Sequence, residues 1–189
     1  KLARAYTNKN YVVMCRQNPF YSFDDWFIGT TNIKRGTLYD KKCPFLKESI
    51  DLKFDYNNLD SVKELFKKHP NDIAALIMEP STTEHPIVYE DGKNFLHKVH
   101  DICKEYNTVF ILDEMITGFR FGVKGASEYY NVAPDLVTYG KAIANGFSLA
   151  VLGGRKDIMS LGDVVTEGRE RTFLLSSTHG AEMSSLGAL

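Results

Sequence analysis

The sequence predicts one α/β domain in which helices cover a mostly parallel β-sheet, and three observations support this fold class. Short apolar segments alternate along the chain with segments whose apolar residues recur at helical spacing. Several of the apolar segments end directly at charged residues, as strands buried on both faces of a parallel sheet often do. No internal repeat or low-complexity tract interrupts the alternation, which is typical of a layered α/β structure.

The first half of the chain supplies two predicted helices and three predicted strands. In order, they are a helix over 1–8, a strand over Tyr11–Cys15, a short strand over Leu52–Phe54, a helix over Leu59–Lys68 and a strand over Ile73–Met78. Asn57 or Asn58 is expected to cap the second helix, whose apolar residues share one face. The polar segment 30–50 is predicted to be a loop.

The second half continues the alternation. We predict a helix over Asp91–Tyr106, a strand over Val109–Leu112, a strand over Leu136–Tyr139, a helix-sized segment over Ala142–Gly146, a strand over Leu149–Leu152, a short helix over Lys156–Met159, a polar loop over 162–171 and a helical segment over Glu182–Leu189. Strand and helix numbers of this kind fit a single domain of this length.

Composition excludes several classes of function. The formal net charge is -1 with both signs interspersed, so no basic surface for nucleic acid or an anionic membrane is predicted. No apolar stretch approaches the roughly 20 residues that a membrane helix requires, and nothing resembles a signal peptide. Three cysteines without CxxC spacing favour free thiols in the cytoplasm. His97 and His100 stand three residues apart on a predicted helix, but with no third ligand we expect surface or dimer-facing residues and no metal site.

Two predicted strands deliver chemically active side chains. The strand Val109–Leu112 ends at Asp113-Glu114, and the strand Leu136–Tyr139 is followed by Gly140-Lys141. Because α/β proteins place their chemistry at the carboxyl ends of strands, an acid and an amine are expected at the same edge of the sheet. A buried structural ion pair is the alternative that these residues leave open.

The surrounding motifs resemble a known family. The run LDEMITGFR around Asp113, the run PDLVTYGKAIANG around Lys141 and a glycine pair before Arg155 are similar to the core of the class III (fold type I) aminotransferases, including glutamate-1-semialdehyde aminomutases. This resemblance implies a three-layer large domain that binds pyridoxal 5'-phosphate and an enzyme that transfers or shifts an amino group. It also matches Glu79-Pro80 to a pair near the mouth of the active site.

The resemblance assigns roles to three residues of these motifs. Lys141 is implied to hold the cofactor as a Schiff base and then to act as general base and acid, and Asp113 to keep the pyridine nitrogen protonated. Met115 is implied to pack on one face of the ring, and an ordinary core position is its alternative.

Two further cofactor-binding residues are implied outside these runs. Phe20 takes the place of an aromatic residue that stacks on the cofactor, although a hydrophobic loop anchor is the alternative. Thr178 matches a threonine that binds the cofactor phosphate of the neighbouring subunit, which implies a homodimer with a shared active site, whereas a plain helix N-cap is its alternative. Glu84 is matched to a glutamate that manages a substrate-binding arginine in some relatives that act on ω-amines, and a solvent-exposed loop acid is its alternative. Arg120 is matched to a residue whose ion pair fixes the loop after Gly118.

Compared with the family, residues 1–189 are expected to be part of the large domain, without the N-terminal phosphate-binding turn and the small C-terminal domain. The expected substrate is a small amine, amino acid or aldehyde. A non-catalytic homologue that serves as an assembly partner is the competing hypothesis, and the presence of Asp113 with Lys141 argues against it. A nucleotide-binding protein is disfavoured because no glycine-rich phosphate loop follows a predicted strand.

Overall fold

The computed structural model describes residues 1–17, 52–81, 84–163 and 182–189. These residues build a six-stranded sheet whose strands are β1 (Tyr11–Cys15), β2 (Lys53–Phe54), β3 (Ile73–Met78), β4 (Val109–Asp113), β5 (Leu136–Tyr139) and β6 (Val151–Gly154). Across the sheet the order is β2-β1-β3-β4-β5-β6, and every neighbouring pair is parallel except β5 and β6. The mostly parallel sheet that the sequence predicted is therefore confirmed.

The helices in the described part are short. They are α1 (Leu2–Thr7), α2 (Leu59–Lys68), α3 (Phe95–Glu105), α4 (Gly125–Tyr129), α5 (Lys156–Met159) and α6 (Met183–Ala188), with 3₁₀ turns at Lys141–Ala144 and Ser160–Gly162. Of these, α4 was not predicted from the sequence. In the described ranges, none of the helices has the length and apolar character needed to cross a membrane.

The sheet is covered on both faces, which makes the structure three-layered. Along β4, Phe110 and Leu112 point into one apolar cluster together with residues of α2 and α3. Val109 and Ile111 point into a second cluster on the other face, together with residues of α1 and α5. Because successive side chains of a strand face opposite ways, this alternation requires a helical layer on each side.

Capping side chains set the start of the two longest helices. Asn58 accepts a hydrogen bond from the Ser61 backbone N–H at 3.1 Å, which confirms one of the two predicted caps of α2. Helix α3 begins at Phe95, four residues later than predicted, because Asn94 is its N-cap and forms a reciprocal pair with His97. The residues before Asn94 form a turn in which Gly92 has a positive φ of 77°.

The last strand is displaced from its predicted position. The sequence predicted Leu149–Leu152, whereas β6 is Val151–Gly154 and pairs antiparallel with β5. A side chain at Gly154 would collide with the backbone of the neighbouring strand, its Cβ lying 2.9 Å from the Leu136 Cα. This close approach requires glycine, and glycine is also why a propensity rule placed the strand too early.

The segment after β5 is a 3₁₀ turn over Lys141–Ala144 in place of the predicted helix over Ala142–Gly146. Asn145 ends the turn in the left-handed region, with φ 48° and ψ 44°. Such a residue stops a helix because it reverses the backbone direction. The turn therefore fixes Lys141 close to the end of β5.

Candidate active site

The carboxyl ends of β3, β4 and β5 bring together the charged residues that the sequence singled out. Met78 pairs with Leu112, so Glu79 and Asp113 are the next neighbours along β3 and β4. Asp113 in turn pairs with Thr138 on β5. Adjacent strands lie about 4.8 Å apart, so these three residues form one row across the sheet edge.

Asp113 is buried and held by two neutral donors. The residue is 7% exposed. Its Oδ1 accepts hydrogen bonds from the Met115 backbone N–H at 2.9 Å and from the Thr138 hydroxyl at 3.2 Å. These two hydrogen bonds fix the orientation of the Asp113 carboxyl group at the end of β4.

Lys141 stands at the same edge, but its environment differs from the prediction. The sequence suggested a buried lysine, whereas Lys141 is exposed in the structure. It is the first residue of the 3₁₀ turn and has a φ of 48°, which is strained for a residue other than glycine. The amine therefore lies where the chain leaves the sheet. It is close enough to Glu79 to influence the carboxyl group of that residue electrostatically, as Asp113 also does.

Met115 lies against the residue that precedes the lysine. A Cβ atom on Gly140 would collide with the Met115 Cε and would lie 2.6 Å from its Sδ. Met115 is half-buried. Glycine at position 140 thus allows the thioether to pack beside the Lys141 turn, and the role of Met115 toward a cofactor stays a prediction.

Glu79 is a buried acid beside this pair. It is 2% exposed, and its pKa is raised from 4.5 to about 7, mainly by burial and to a lesser extent by the nearby negative charge of Asp113. The positive charge of Lys141 acts in the opposite direction. A carboxyl group with such a pKa exchanges its proton near neutral pH, which is a property of functional sites.

Glu114 fixes the loop that follows Asp113. It is fully buried, and its Oε2 accepts hydrogen bonds from the Thr117 hydroxyl at 2.7 Å and the Ala126 backbone N–H at 2.8 Å, while its Oε1 accepts from the Ser127 backbone N–H at 2.7 Å. These bonds satisfy N–H groups at the start of α4. The sequence assigned the loop-fixing role to an ion pair of Arg120. Among the described residues Arg120 forms no ion pair, so that role stays a prediction, and the observed contacts that fix the loop are those of Glu114.

The remaining predicted residues are placed as follows. Phe20 and Thr178 lie outside the described residues. Glu84 is exposed and accepts a hydrogen bond from the Asn57 side chain at 3.2 Å, so its alternative interpretation as a loop acid agrees with the structure.

The two histidines of α3 have separate structural roles. His97 caps the helix, and its Nε2 lies 2.8 Å from the Asn131 carbonyl oxygen. His100 was expected on a surface, but it is 9% exposed and stacks on Phe110 with ring centroids 5.1 Å apart. Among the residues that the structure describes, no group of three or more His, Cys, Asp or Glu side chains is arranged to hold a metal ion.

The sequence reasoning missed three contributors to this site. Thr138 and Glu114 were part of the quoted motifs but received no role, and Glu79 was noted only by its position. The signal that could have found Glu79 is that it directly follows a predicted strand, as Asp113 does, and parallel register brings both strand ends to one edge of the sheet. Thr138 lies inside β5, and only its register with Asp113 shows the contact. The capping role of Glu114 had no local signal, because its partners lie up to 13 residues away.

Comparisons with known proteins agree with this geometry. The family described as "Aminotransferase class-III" matches residues 4–186. Among curated relatives, the glutamate-1-semialdehyde 2,1-aminomutase of Thermosipho africanus (strain TCF52B) is 39% identical over 164 residues, and that of Legionella pneumophila (strain Corby) is 36% identical over 170 residues. In both cases the alignment covers 85% of this chain and 38% of the relative, so the chain spans about two fifths of the relatives' length.

Solved structures show the same fold. A structure titled "Transaminase with PLP bound" has a TM-score of 0.79 and 21% identity, covering 99% of this chain and 43% of that one. An omega-transaminase from Sphaerobacter thermophilus has a TM-score of 0.69 and 24% identity, covering 86% of this chain and 39% of that one. At these identities the likeness concerns the fold alone.

Proposed function

The chain belongs to the class III aminotransferases, and on that premise we propose that it forms part of the large domain of a pyridoxal-phosphate-dependent enzyme that transfers an amino group. The observation that carries the proposal is the placement of buried Asp113 and of Lys141 at the ends of adjacent strands. The non-catalytic alternative receives no support from the relatives, whose names are those of enzymes.

The residues at the sheet edge fit this cofactor. When bound, pyridoxal phosphate supplies an electron sink for reactions at the carbon that carries the amino group. Asp113 offers a buried carboxyl group for the protonated ring nitrogen, and its two hydrogen-bond donors among the described residues are both neutral. Lys141 offers its Nζ for covalent attachment, and Met115 lines the adjacent surface beside Gly140.

Proton movement is assigned to the same lysine. Once an incoming amine has released it, Lys141 can take a proton at Nζ and return it to a neighbouring atom. The exposed position at the start of the 3₁₀ turn leaves the side chain room to swing between these two roles.

The proposed substrate is a small amino acid, amine or aldehyde. The curated relatives are aminomutases, which favours an intramolecular amino shift over transfer between two molecules. We further propose a cytoplasmic homodimer in which Phe20 stacks on the cofactor and Thr178 binds the cofactor phosphate of the partner subunit. Light scattering of the intact gene product measures whether it is a dimer. Thr178→Val should weaken cofactor binding and leave the dimer unchanged.

The decisive experiment is an absorbance spectrum of the intact gene product with pyridoxal phosphate, recorded beside Lys141→Ala. We expect a visible band in the wild type that is missing in the variant. Borohydride reduction and peptide mapping should then place the cofactor on the Lys141 peptide. Lys104→Ala, which removes an exposed lysine in the last turn of α3, is the matched control and should retain the band. Absence of the band from the wild type, or a label on another lysine, would refute the assignment.

A further inference from the structure

Glu114 is a side chain to which the proposed function assigns no role. It directly follows Asp113 in the chain and is fully buried. A buried carboxyl group is costly unless its oxygens accept hydrogen bonds. Three donors approach it, namely the Thr117 hydroxyl at 2.7 Å, the Ala126 backbone N–H at 2.8 Å and the Ser127 backbone N–H at 2.7 Å. The folded chain therefore surrounds this side chain with hydrogen-bond donors.

These donors require an acceptor at both oxygens of the side chain. Oε1 accepts from the Ser127 N–H, and Oε2 accepts from the Ala126 N–H. A backbone N–H can only donate, whereas a glutamine side chain has one accepting oxygen and one donating NH₂ group. In either orientation the glutamine NH₂ group would face a backbone N–H. An aspartate is one methylene group shorter and would draw both oxygens away from the donors. Of these three side chains, glutamate alone fits the position.

Two glycines leave room for Glu114. A Cβ atom on Gly125 would lie 2.5 Å from Glu114 Oε2, and a Cβ atom on Gly118 would lie 2.6 Å from the Glu114 carbonyl oxygen. Both distances are shorter than van der Waals contact. The close packing on two sides holds the backbone and the carboxyl group of this residue in one arrangement.

The turn over 114–118 joins the ends of two neighbouring strands. The Glu114 N–H donates to the Thr138 carbonyl oxygen at 2.9 Å, and the Gly118 N–H donates to the Glu114 carbonyl oxygen at 2.8 Å. Tyr139 is the last residue of β5, and a Cβ atom on Gly118 would lie 2.7 Å from its Cδ1. The turn therefore contacts the ends of β4 and β5, which lead to the two residues that the proposed function assigns to the cofactor.

We propose that Glu114 is a positioning residue that sets the relative position of Asp113 and Lys141 by anchoring the turn over 114–118 to the start of α4. The Met115 N–H, which donates to the Asp113 carboxyl group at 2.9 Å, belongs to this turn. A turn released from α4 would displace this donor and remove packing from the end of β5. The anchoring follows from the contacts of Glu114, whereas its effect on cofactor binding rests on the proposed function.

The anchoring can be measured without cofactor or activity. Amide hydrogen exchange of the cofactor-free intact gene product, followed by NMR, reports the protection of individual N–H groups. In Glu114→Gln we expect the Gly118 and Ser127 N–H groups to exchange about tenfold faster, relative to those of β3, than in the wild type. Glu128→Gln is the matched control, because it changes an exposed glutamate of α4 that pairs with Lys124 at 2.9 Å, and it should leave both rates unchanged. Unchanged rates in Glu114→Gln, or an equal increase throughout β3, would overturn the proposal.

A milder variant covers the case in which Glu114→Gln does not fold. Thr117→Val removes one of the three hydrogen bonds and keeps both backbone donors. We expect the dissociation constant of pyridoxal phosphate to rise roughly tenfold in Glu114→Gln and roughly threefold in Thr117→Val. The visible band of the bound cofactor depends on its surroundings, so the absorbance maximum should shift in both variants. Glu128→Gln should keep the affinity and the band of the wild type.

Both quantities are measured on folded protein, so that a loss of stability does not affect them. A purely structural Glu114 would lower the midpoint of denaturation and leave the affinity and the absorbance maximum of the folded protein unchanged, and this result would overturn the role at the cofactor. If the wild type binds no cofactor, the proposed function fails, and the exchange rates still decide whether Glu114 anchors the turn.

Discussion

The two edges of the sheet each contain an aspartate that is 7% exposed, and their partners differ. At the carboxyl edge, Asp113 accepts hydrogen bonds from two neutral donors and lies beside another acid. At the amino edge, Asp135 accepts from the Phe110 backbone N–H at 2.8 Å and forms an ion pair with Arg155 at 2.8 Å. Arg155 also contacts Asp157 and the Tyr6 hydroxyl.

This difference shows that burial and residue type do not by themselves identify a functional carboxylate. The charge of Asp135 is compensated by a fixed guanidinium, which leaves it nothing further to bind. The charge of Asp113 is stabilised by dipoles and remains available to a cation that enters the site. The pattern of compensation separates the structural aspartate from the candidate catalytic one.

The largest expected effect is at the carboxyl edge, where a substitution tests whether Asp113 has a catalytic role that Asp135 lacks. Asp113→Asn keeps the size of the side chain and removes its charge, so we expect amino-transfer activity to fall roughly 10²–10⁴-fold. Its stability should change little, because the asparagine side-chain oxygen can still accept the hydrogen bonds from the Met115 N–H and the Thr138 hydroxyl. Activity is measured on the intact gene product, and Asp135→Asn serves as the matched control. Equal losses in the two variants would mean that burial alone matters.

The second prediction concerns pH and stability. Since the pKa of Glu79 is raised from 4.5 to about 7 on folding, the folded state binds the proton more tightly than the unfolded state between these values. The contribution of Glu79 to stability therefore falls as the pH rises from about 4.5 to about 7, by about 3 kcal/mol at 1.36 kcal/mol per pH unit. Glu79→Gln should abolish this slope and exceed the wild type in stability above pH 7.

Chemical denaturation at several pH values measures the effect of Glu79. The exposed Glu84→Gln should run parallel to the wild type across the same range. Parallel curves for Glu79→Gln would contradict a proton bound at this position.

A third effect is expected at the amino edge. Asp135→Ala removes the ion-pair partner of Arg155 and the acceptor of the Phe110 backbone N–H. We expect a loss of about 2 kcal/mol in the free energy of unfolding. The loss is smaller than for a fully buried pair because the Arg155 side chain is 48% exposed and keeps Asp157. Thermal and urea denaturation measure the change. The activity of the folded fraction should be unaffected, and a drop in that activity would argue against a purely structural amino edge.

The smallest effect compares one threonine at each edge. Thr138 donates to Asp113, and the Thr108 hydroxyl donates to the Ile73 carbonyl at 2.8 Å. Replacing either with valine should cost about 1 kcal/mol of stability. Only Thr138→Val should also weaken cofactor binding, by roughly threefold to tenfold, because of the two threonines only Thr138 donates a hydrogen bond to Asp113. Calorimetric titration with pyridoxal phosphate distinguishes the two variants.

Most strands and helices of the described part were predictable because each has a local signal. The buried strand β3 was found with its correct bounds from continuous apolar residues, and α2 from helical spacing and an asparagine cap. Elements whose signal is not local were missed or displaced. Helix α4 starts at Gly125, which has a φ of 74°. A Cβ atom at this position would lie 2.5 Å from Glu114 Oε2. Both features arise only in the folded chain, so no local pattern predicts this helix.

The sequence by itself determined the layered α/β fold, the order of its buried strands, and the motifs that carry Asp113 and Lys141. These features follow from hydrophobic periodicity and from contiguous residues, which need no knowledge of distant contacts. The tertiary structure decided the exposure of Lys141, the antiparallel position of β6 and the pairing of Asp113 with Thr138. Each of these features depends on how strands that are far apart in the chain align and on which of their residues come into contact. Local residue patterns do not specify that alignment.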